Sequence, residues 1–389
     1  MPKSAIRGAL ALLAVALCLA AFRARAGDGG LVVHEWGTFT TIAGPDGKAM
    51  PWLPFSVAGD LPCFVNHEGT GSEKGGIAAL VRMETPVLYF YAPRAMTVSA
   101  AVHFPQGLVT EWYPQGEHGA TTPAGDGGLR DGAIAWPEVR LSPGSAPDLR
   151  GDGAASHYYA ARAVDAAPLT VGEEQEKFLF YRGVGDFALP LEARVTAAGN
   201  VIAENSGEDA IDGLFLVERR GAAIGYRMLG ALPAGGRVTI APPSLDGESA
   251  ALEADAERLL VDAGLYPREA KAMVATWRQS WFEEGARLFY IAPRPTIDRV
   301  LPLAIEPAPV TIARAFMGRM ELATPATEAA IADAIAREDE AVLRRYARFL
   351  TPLTERMDSD RLDPERRGRI SELLARVAAD AARAPRCIS

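Results

Sequence analysis

The stretch Leu31-Val-Val-His-Glu-Trp-Gly-Thr-Phe-Thr-Thr-Ile42 sets the reading of the rest of the chain. β-Branched and aromatic residues crowd it, as they do in strands, because they pack well on a pleated surface. It runs out at Gly44-Pro45-Asp46-Gly47. There proline fixes φ and glycine permits positive φ, which together make a turn. An extended backbone sends successive side chains to opposite faces, so His34 shares a face with Trp36 and Glu35 points the other way.

The same grammar continues outward. Strands are predicted at Val87–Ala92, Thr97–Phe104, Ile134–Val139, Lys177–Arg182, Gly213–Glu218, Ile224–Leu229 and Arg237–Ile240, with Arg219-Arg220-Gly221 turning a hairpin. No helical pattern intervenes to carry parallel crossovers, so this half reads as antiparallel. After Pro243 the period changes. Leu252–Ala263 reads as a helix stopped by Gly264, and Pro267 suits the first turn of another. In that second helix Ala270, Met273, Val274, Trp277 and Trp281 form one apolar stripe. Strands follow at Arg287–Ala292, near Val300–Ile305 and at Thr311–Glu321, before an Ala-, Glu- and Arg-rich tail of two or three helices. The fold class is α+β. A large, mostly antiparallel, sandwich-like β region spans 27–245, a helix–strand segment packed with it spans 246–322, and a helical C-terminal region spans 323–389.

Ahead of the first strand, Lys3 and Arg7 precede an apolar run from Gly8 to Phe22, and Ala24-Arg25-Ala26 supplies small residues at the positions a signal peptidase reads. Residues 1–26 are therefore expected to be a signal peptide cut before Gly27, because the run is shorter than the roughly 20 residues of a spanning helix. The expected location is periplasmic or secreted, with no stable transmembrane anchor after cleavage. Loss of Lys3, Arg7, Arg23 and Arg25 takes the formal charge from −9 to −13. An acidic chain without basic runs argues against nucleic acid and against a polybasic grip on anionic lipid. Of three cysteines, Cys18 departs with the leader, so Cys63 and Cys387 can pair in an oxidising compartment.

His34-Glu-Trp-Gly-Thr-Phe-Thr40 resembles a group of secreted proteins of environmental bacteria that has no established activity. Arg82-Met-Glu-Thr-Pro-Val-Leu-Tyr-Phe-Tyr91, Glu176-Lys-Phe-Leu-Phe-Tyr-Arg-Gly183 and Trp277-Arg-Gln-Ser-Trp-Phe-Glu-Glu-Gly285 look like further blocks of the same group. The resemblance implies one co-folded unit outside the cytoplasm, and it assigns no catalytic residue. A second echo is internal. Glu84 to Arg94 and Glu284 to Arg294 match at Glu, Leu, Ala, Pro and Arg, as equivalent strands of two related modules would.

Standard catalytic signatures are missing: there is no GxSxG elbow, no HExxH helix and no phosphate-cradling GxxxxGK[ST]. Gly183-Val-Gly-Asp-Phe-Ala188 mimics a dinucleotide loop but runs into Leu189-Pro190, where a helix would have to start. The five histidines, His34, His67, His103, His118 and His157, all lie in the β-rich half. Imidazole and carboxylate are the usual transition-metal ligands, so His34, His67 and Glu68 are the candidate site for a divalent metal. Trp36, Glu111 and Trp112 are candidate ligand contacts, because flat rings beside acids suit a sugar. Arg82, Glu84, Glu176, Arg182 and Arg294 flank apolar strands as buried ion pairs would. The chain is expected to be a binding or structural protein without catalysis, partnered by a small molecule, a glycan or an envelope protein. The alternative is a hydrolase, metal-assisted or glycan-directed.

Overall fold

The computed structural model describes residues 30–54, 61–67, 77–119, 129–153, 156–346, 349–357, 365, 368 and 371–372. The expected signal peptide, Glu68 and Cys387 lie outside them.

A nine-stranded sheet organises the molecule. Its order is Ala223–Leu232 (β14), Ile211–Arg220 (β13), Gly285–Ile291 (β16), Thr311–Leu322 (β18), Val32–Ile42 (β1), Val81–Tyr91 (β3), Leu179–Gly185 (β10), Gly107–Tyr113 (β5) and Asn66–His67 (β2), numbered along the chain. Neighbours are antiparallel except the central pair, β1 and β18, which run parallel. The expectation of antiparallel pairing rested on adjacent segments. This pair instead joins the two ends of the fold, from Val32↔Thr311 to Ile42↔Glu321, where no hairpin constrains direction.

A six-stranded sheet is centred on Met96–Phe104 (β4) and Gly132–Leu141 (β7). Glu117–His118 (β6), Leu169–Val171 (β8), Glu174–Glu176 (β9) and Leu303–Glu306 (β17) complete it. Leu191–Val195 (β11), Val201–Asn205 (β12) and Arg237–Ile240 (β15) form a third, smaller sheet. The helices are Ser249–Asp262 (α1), Pro267–Trp281 (α2), Arg294–Val300 (α3), Pro325–Arg337 (α4), Glu340–Arg345 (α5) and Leu350–Arg356 (α6).

Two cores follow from the alternation along β1 and β3. Leu88 and Phe90 face Val98, Val102 and Trp136 of the second sheet. Trp36, Val87 and Tyr89 face Leu260, Met273 and Trp277 of α1 and α2. The apolar stripe of α2 is thus spent on the sheet. α4 to α6 close a third cluster over Ile42 and Trp52. No helix among the described residues is long and apolar enough to cross a membrane.

The internal echo falls on β3 and β16, which flank the parallel central pair on opposite sides. Leu88 and Leu288 nevertheless face the same core. A shift of three strand positions along the sheet carries β1, β3 and β10 onto β13, β16 and β18 with strand direction and face kept.

Candidate functional site

The four segments that carry the resemblance meet on the helix-covered face of the large sheet. Between Trp36 and Thr38 the register of β1 against β3 slips, so that Thr85 and Pro86 stand where β1 has only Gly37. Proline donates no ladder bond and is tolerated in mid-sheet at such a bulge. Thr85 sits there with φ at 45°, a strained value for a β-branched residue. The slip continues into β10 between Phe180 and Gly183, and into β5 beside Arg182. Gly37 is required for a second reason: a Cβ on it would lie 2.8 Å from the Phe316 ring and 3.2 Å from the Pro86 Cα.

Below these bulges the apolar face gives way to a buried ionic seam. Trp281 at the end of α2 donates its indole N–H to Thr38 Oγ1 at 3.2 Å. Arg319 donates to Ser280 Oγ at 2.9 Å, to Glu283 Oε1 at 2.5 Å and, through Nε, to Glu321 Oε1 at 2.8 Å. Arg287 reaches the same Glu321 oxygen at 2.8 Å, and it also donates to the carbonyls of Trp281, Glu283 and Glu284. Arg82 lies 3.6 Å from Glu84 and donates to the Pro54 carbonyl, while Arg182 donates to Thr85 Oγ1 at 3.2 Å. Arg287 and Arg319 are fully enclosed.

The seam's electrostatics follow from this pairing. Burial alone would push Arg319 down, but Glu321, Glu283 and Glu84 hold it above the usual arginine value. Burial pushes the Glu321 carboxyl up, yet Arg287 and Arg319 together bring it below the ordinary carboxylate range. Each guanidinium of Arg287 and Arg319 points at a carboxylate, a hydroxyl or a carbonyl, an arrangement that fixes α2 against β16 and β18.

His34 and Glu35 diverge as alternation predicts. His34 Nδ1 lies 2.7 Å from Glu269 Oε2 in the first turn of α2, an oxygen that also accepts the Tyr266 N–H at 2.7 Å. Tyr91 donates to Glu269 Oε1 at 2.7 Å, and the Tyr266 ring lies 4.4 Å from the imidazole. On the opposite face Glu35 accepts from Tyr181 and from Arg314, each at 2.5 Å.

The expected metal site is therefore corrected. His34 on β1 and His67 on β2 are four strands apart, roughly 19 Å along the sheet at a strand spacing of about 4.8 Å. That is too far for two side chains to share one ion. Among the described residues, no group of three or more His, Cys, Asp and Glu side chains converges as a metal site.

Of the expected ligand contacts, the two tryptophans are corrected, because both are buried. Trp36 has no exposed surface and lies in the core between the sheet and α2. Trp112 is 6 % exposed and stacks at 4.3 Å on His118. Glu111 stands opposite His67 in the β2–β5 pair and accepts from Thr110 at 2.6 Å.

Of the expected buried ion pairs, Arg82, Glu84, Glu176 and Arg182 are buried, whereas Arg294 forks Asp298 at the surface. Glu176 accepts Arg162 and Tyr158, and burial pushes its carboxyl up. Cys63 is disulfide-bonded. Its backbone N–H donates to Asp152, so the carboxylate of the Arg150-Gly151-Asp152 tripeptide serves this joint.

Sequence reasoning missed Glu269, Glu283, Arg319 and Glu321. A signal for the last two was present: Arg319 and Glu321 are two apart in one strand, which puts both on one face. Glu269 three residues beyond Tyr266 lacked the usual Ser or Thr cap that would have marked it.

No family model matches the sequence, and no curated protein matches it. Among solved structures, the chain is similar to the Fcho1 mu homology domain of Danio rerio with bound Eps15 peptide, at 9% identity and a TM-score of 0.29, covering 76% of this chain and 99% of that one. It is also similar to the yeast delta-COP-I mu-homology domain complexed with a Dsl1 WxWxV peptide, at 8% identity and a TM-score of 0.28, covering 75% and 96%. Likeness at these scores carries no inference about fold or binding.

Proposed function

We propose that this chain is an exported protein of the bacterial periplasm or exterior that binds or scaffolds and does not catalyse. The observation that carries this reading is the convergence of the four resemblance segments. Trp281 bonds Thr38 and Arg182 bonds Thr85 between segments, while Ser280 and Glu283 accept from Arg319 of β18 inside the molecule. Residues that bind a reacting group must face it, whereas residues that hold a helix on a sheet face one another. The export half of the reading rests on the leader-like residues 1–26. The partner is a small molecule, a glycan or an envelope protein, met on the outer surface.

The test is expression of the full chain in a Gram-negative host, with fractionation and intact-mass measurement. The expected product is periplasmic and begins at Gly27. A chain retained in the cytoplasm with residues 1–26 intact would contradict export. Co-sedimentation of the mature protein with isolated cell-wall sacculi, against soluble glycans as competitors, then separates an envelope partner from a small one.

A further inference from the structure

We propose that the outer face of the six-stranded sheet binds an organic cation with a flat, apolar body, a site that rests on the reading of this chain as a binding protein and gives its small-molecule partner a place. Alternation along the strands builds the site. Ala100, Val102 and Phe104 of β4 face the core, so Ser99, Ala101 and His103 face solvent. In β7 the solvent side falls to Ala133 and Ala135. Pairing then sets one row across four strands: Ala304 of β17, Ala101 of β4, Ala135 of β7 and Glu117 of β6. Three methyl groups end at one carboxylate. The row covers three strand spacings, about 14 Å at about 4.8 Å each. Alanine is depleted in strands, and on a solvent face it leaves open the space that a longer side chain would fill. The result is an open cavity of about 530 Å³, with Pro302 and Leu303 lining its β17 side. Sites for small molecules occupy roughly 300–1,000 Å³.

The lining decides the chemistry of the ligand. Among the described residues it includes no tryptophan, tyrosine or phenylalanine, so it lacks the flat rings on which a sugar stacks. Glu117 is its one carboxylate. The next residue, His118, is turned to the other face, where it stacks on Trp112 at 4.3 Å and meets the Val109 carbonyl at 3.1 Å. A second cavity of about 450 Å³ also begins at Glu117, and there Glu138 and Arg140 pair with each other at 3.0 Å. Glu117 is exposed and has no such partner among the described residues. An unpaired carboxylate at the end of an apolar trough complements a cation, and a chain of net charge −9 repels an anion. An exposed ion pair changes affinity only a few-fold. The methyl floor therefore carries most of the binding, and Glu117 sets the preferred charge.

The probe is thioflavin T, a flat benzothiazolium cation, and the control is its uncharged analogue without the ring N-methyl group. Each is titrated against the mature protein by equilibrium dialysis. The cation should bind once per chain, and the neutral analogue about threefold more weakly. Glu117→Gln should bring the cation down to the affinity of the analogue and leave the analogue unchanged. Ala135→Trp fills the trough and should weaken both dyes about tenfold or more. Ala304→Trp does the same from the neighbouring edge, and the Tm of each variant shows that it has folded. No binding of either dye, or binding that a folded filling variant leaves unchanged, would overturn the site. Equal affinity of the wild type for the two dyes, or a cation preference that survives Glu117→Gln, would overturn the assignment of charge. Neither result touches export or the absence of catalysis, which fail instead on fractionation and on turnover.

Discussion

Arg287 and Arg319 donate through their Nε atoms to one and the same oxygen, Oε1 of Glu321, each at 2.8 Å. Two enclosed guanidiniums thus share one enclosed carboxylate, with Glu283 a second carboxylate partner of Arg319. Removing a single partner of a buried ionic group leaves uncompensated charge, at a cost of about 3–5 kcal/mol. Glu321→Gln should therefore lower unfolding stability by that amount in urea titrations, while a surface change such as Glu138→Gln has little effect. A loss below about 1 kcal/mol, the range of an exposed pair, would mean that the seam does not hold the helix to the sheet.

The same carboxylate makes a pH prediction. Its folded value lies below the ordinary 4.5, so in acid the unfolded chain binds its proton first. The stabilisation is complete above 4.5 and is lost as pH falls through the lower, folded value. Glu176 has the opposite sign, because its folded value is raised. Its contribution declines as pH climbs from 4.5 through that raised value. Stability measured against pH should show both limbs. Glu321→Gln should remove the acid one, and Glu176→Gln should flatten the other.

Glycine positions give a packing test. A Cβ on Gly37 would meet the Phe316 ring at 2.8 Å, and one on Gly318 would meet the Tyr290 ring at 2.2 Å. Overpacking of this kind costs about 1–3 kcal/mol, so Gly37→Ala and Gly318→Ala should each lower Tm. At Gly119 the nearest atom is the Ala133 Cβ at 3.9 Å, and Gly119→Ala should leave Tm unchanged.

His34 is predicted to act as a joint. A double-mutant cycle of His34→Ala and Glu269→Gln should give a coupling of about 0.5–3 kcal/mol, as residues in direct contact do. Elemental analysis of protein purified without chelator should give the same metal content for wild type and His34→Ala. A transition metal bound by the wild type and lost from the variant would restore the metal reading.

Cys63 is expected to be joined to Cys387. Non-reducing peptide mapping of the mature protein should yield one cross-linked pair containing both. Two free thiols, or a bond between two chains, would exclude this pairing.

Much of the fold is legible in local chemistry. Pro267 opens α2 as its fixed φ predicts, and Arg237–Ile240 is a strand with the bounds read from sequence. Gly221 turns the hairpin at φ 60°. Alternation from Leu31 onward also places His34 and Glu35 on opposite faces. What was not legible is long-range. β1 pairs with β18 across most of the chain, and β2 lies at an edge four strands from β1. No local pattern specifies either neighbour, so His34 and His67 looked like partners only because both are imidazoles. β5 is not among the strands expected from the sequence, and its Glu111 lies beside a bulge in the pairing with β10.

The claim that the resemblance segments build a structural seam in a non-catalytic protein meets its most direct test in a turnover panel. Mature wild type, His34→Ala and Glu321→Gln would be assayed with chromogenic ester, phosphoester, glycoside and peptide substrates, with and without added zinc or manganese. The account predicts no turnover above the uncatalysed rate by any of the three, while Glu321→Gln shows its loss of stability in the same preparations. Turnover by the wild type that His34→Ala abolishes without a change in Tm would contradict it and make the chain an enzyme.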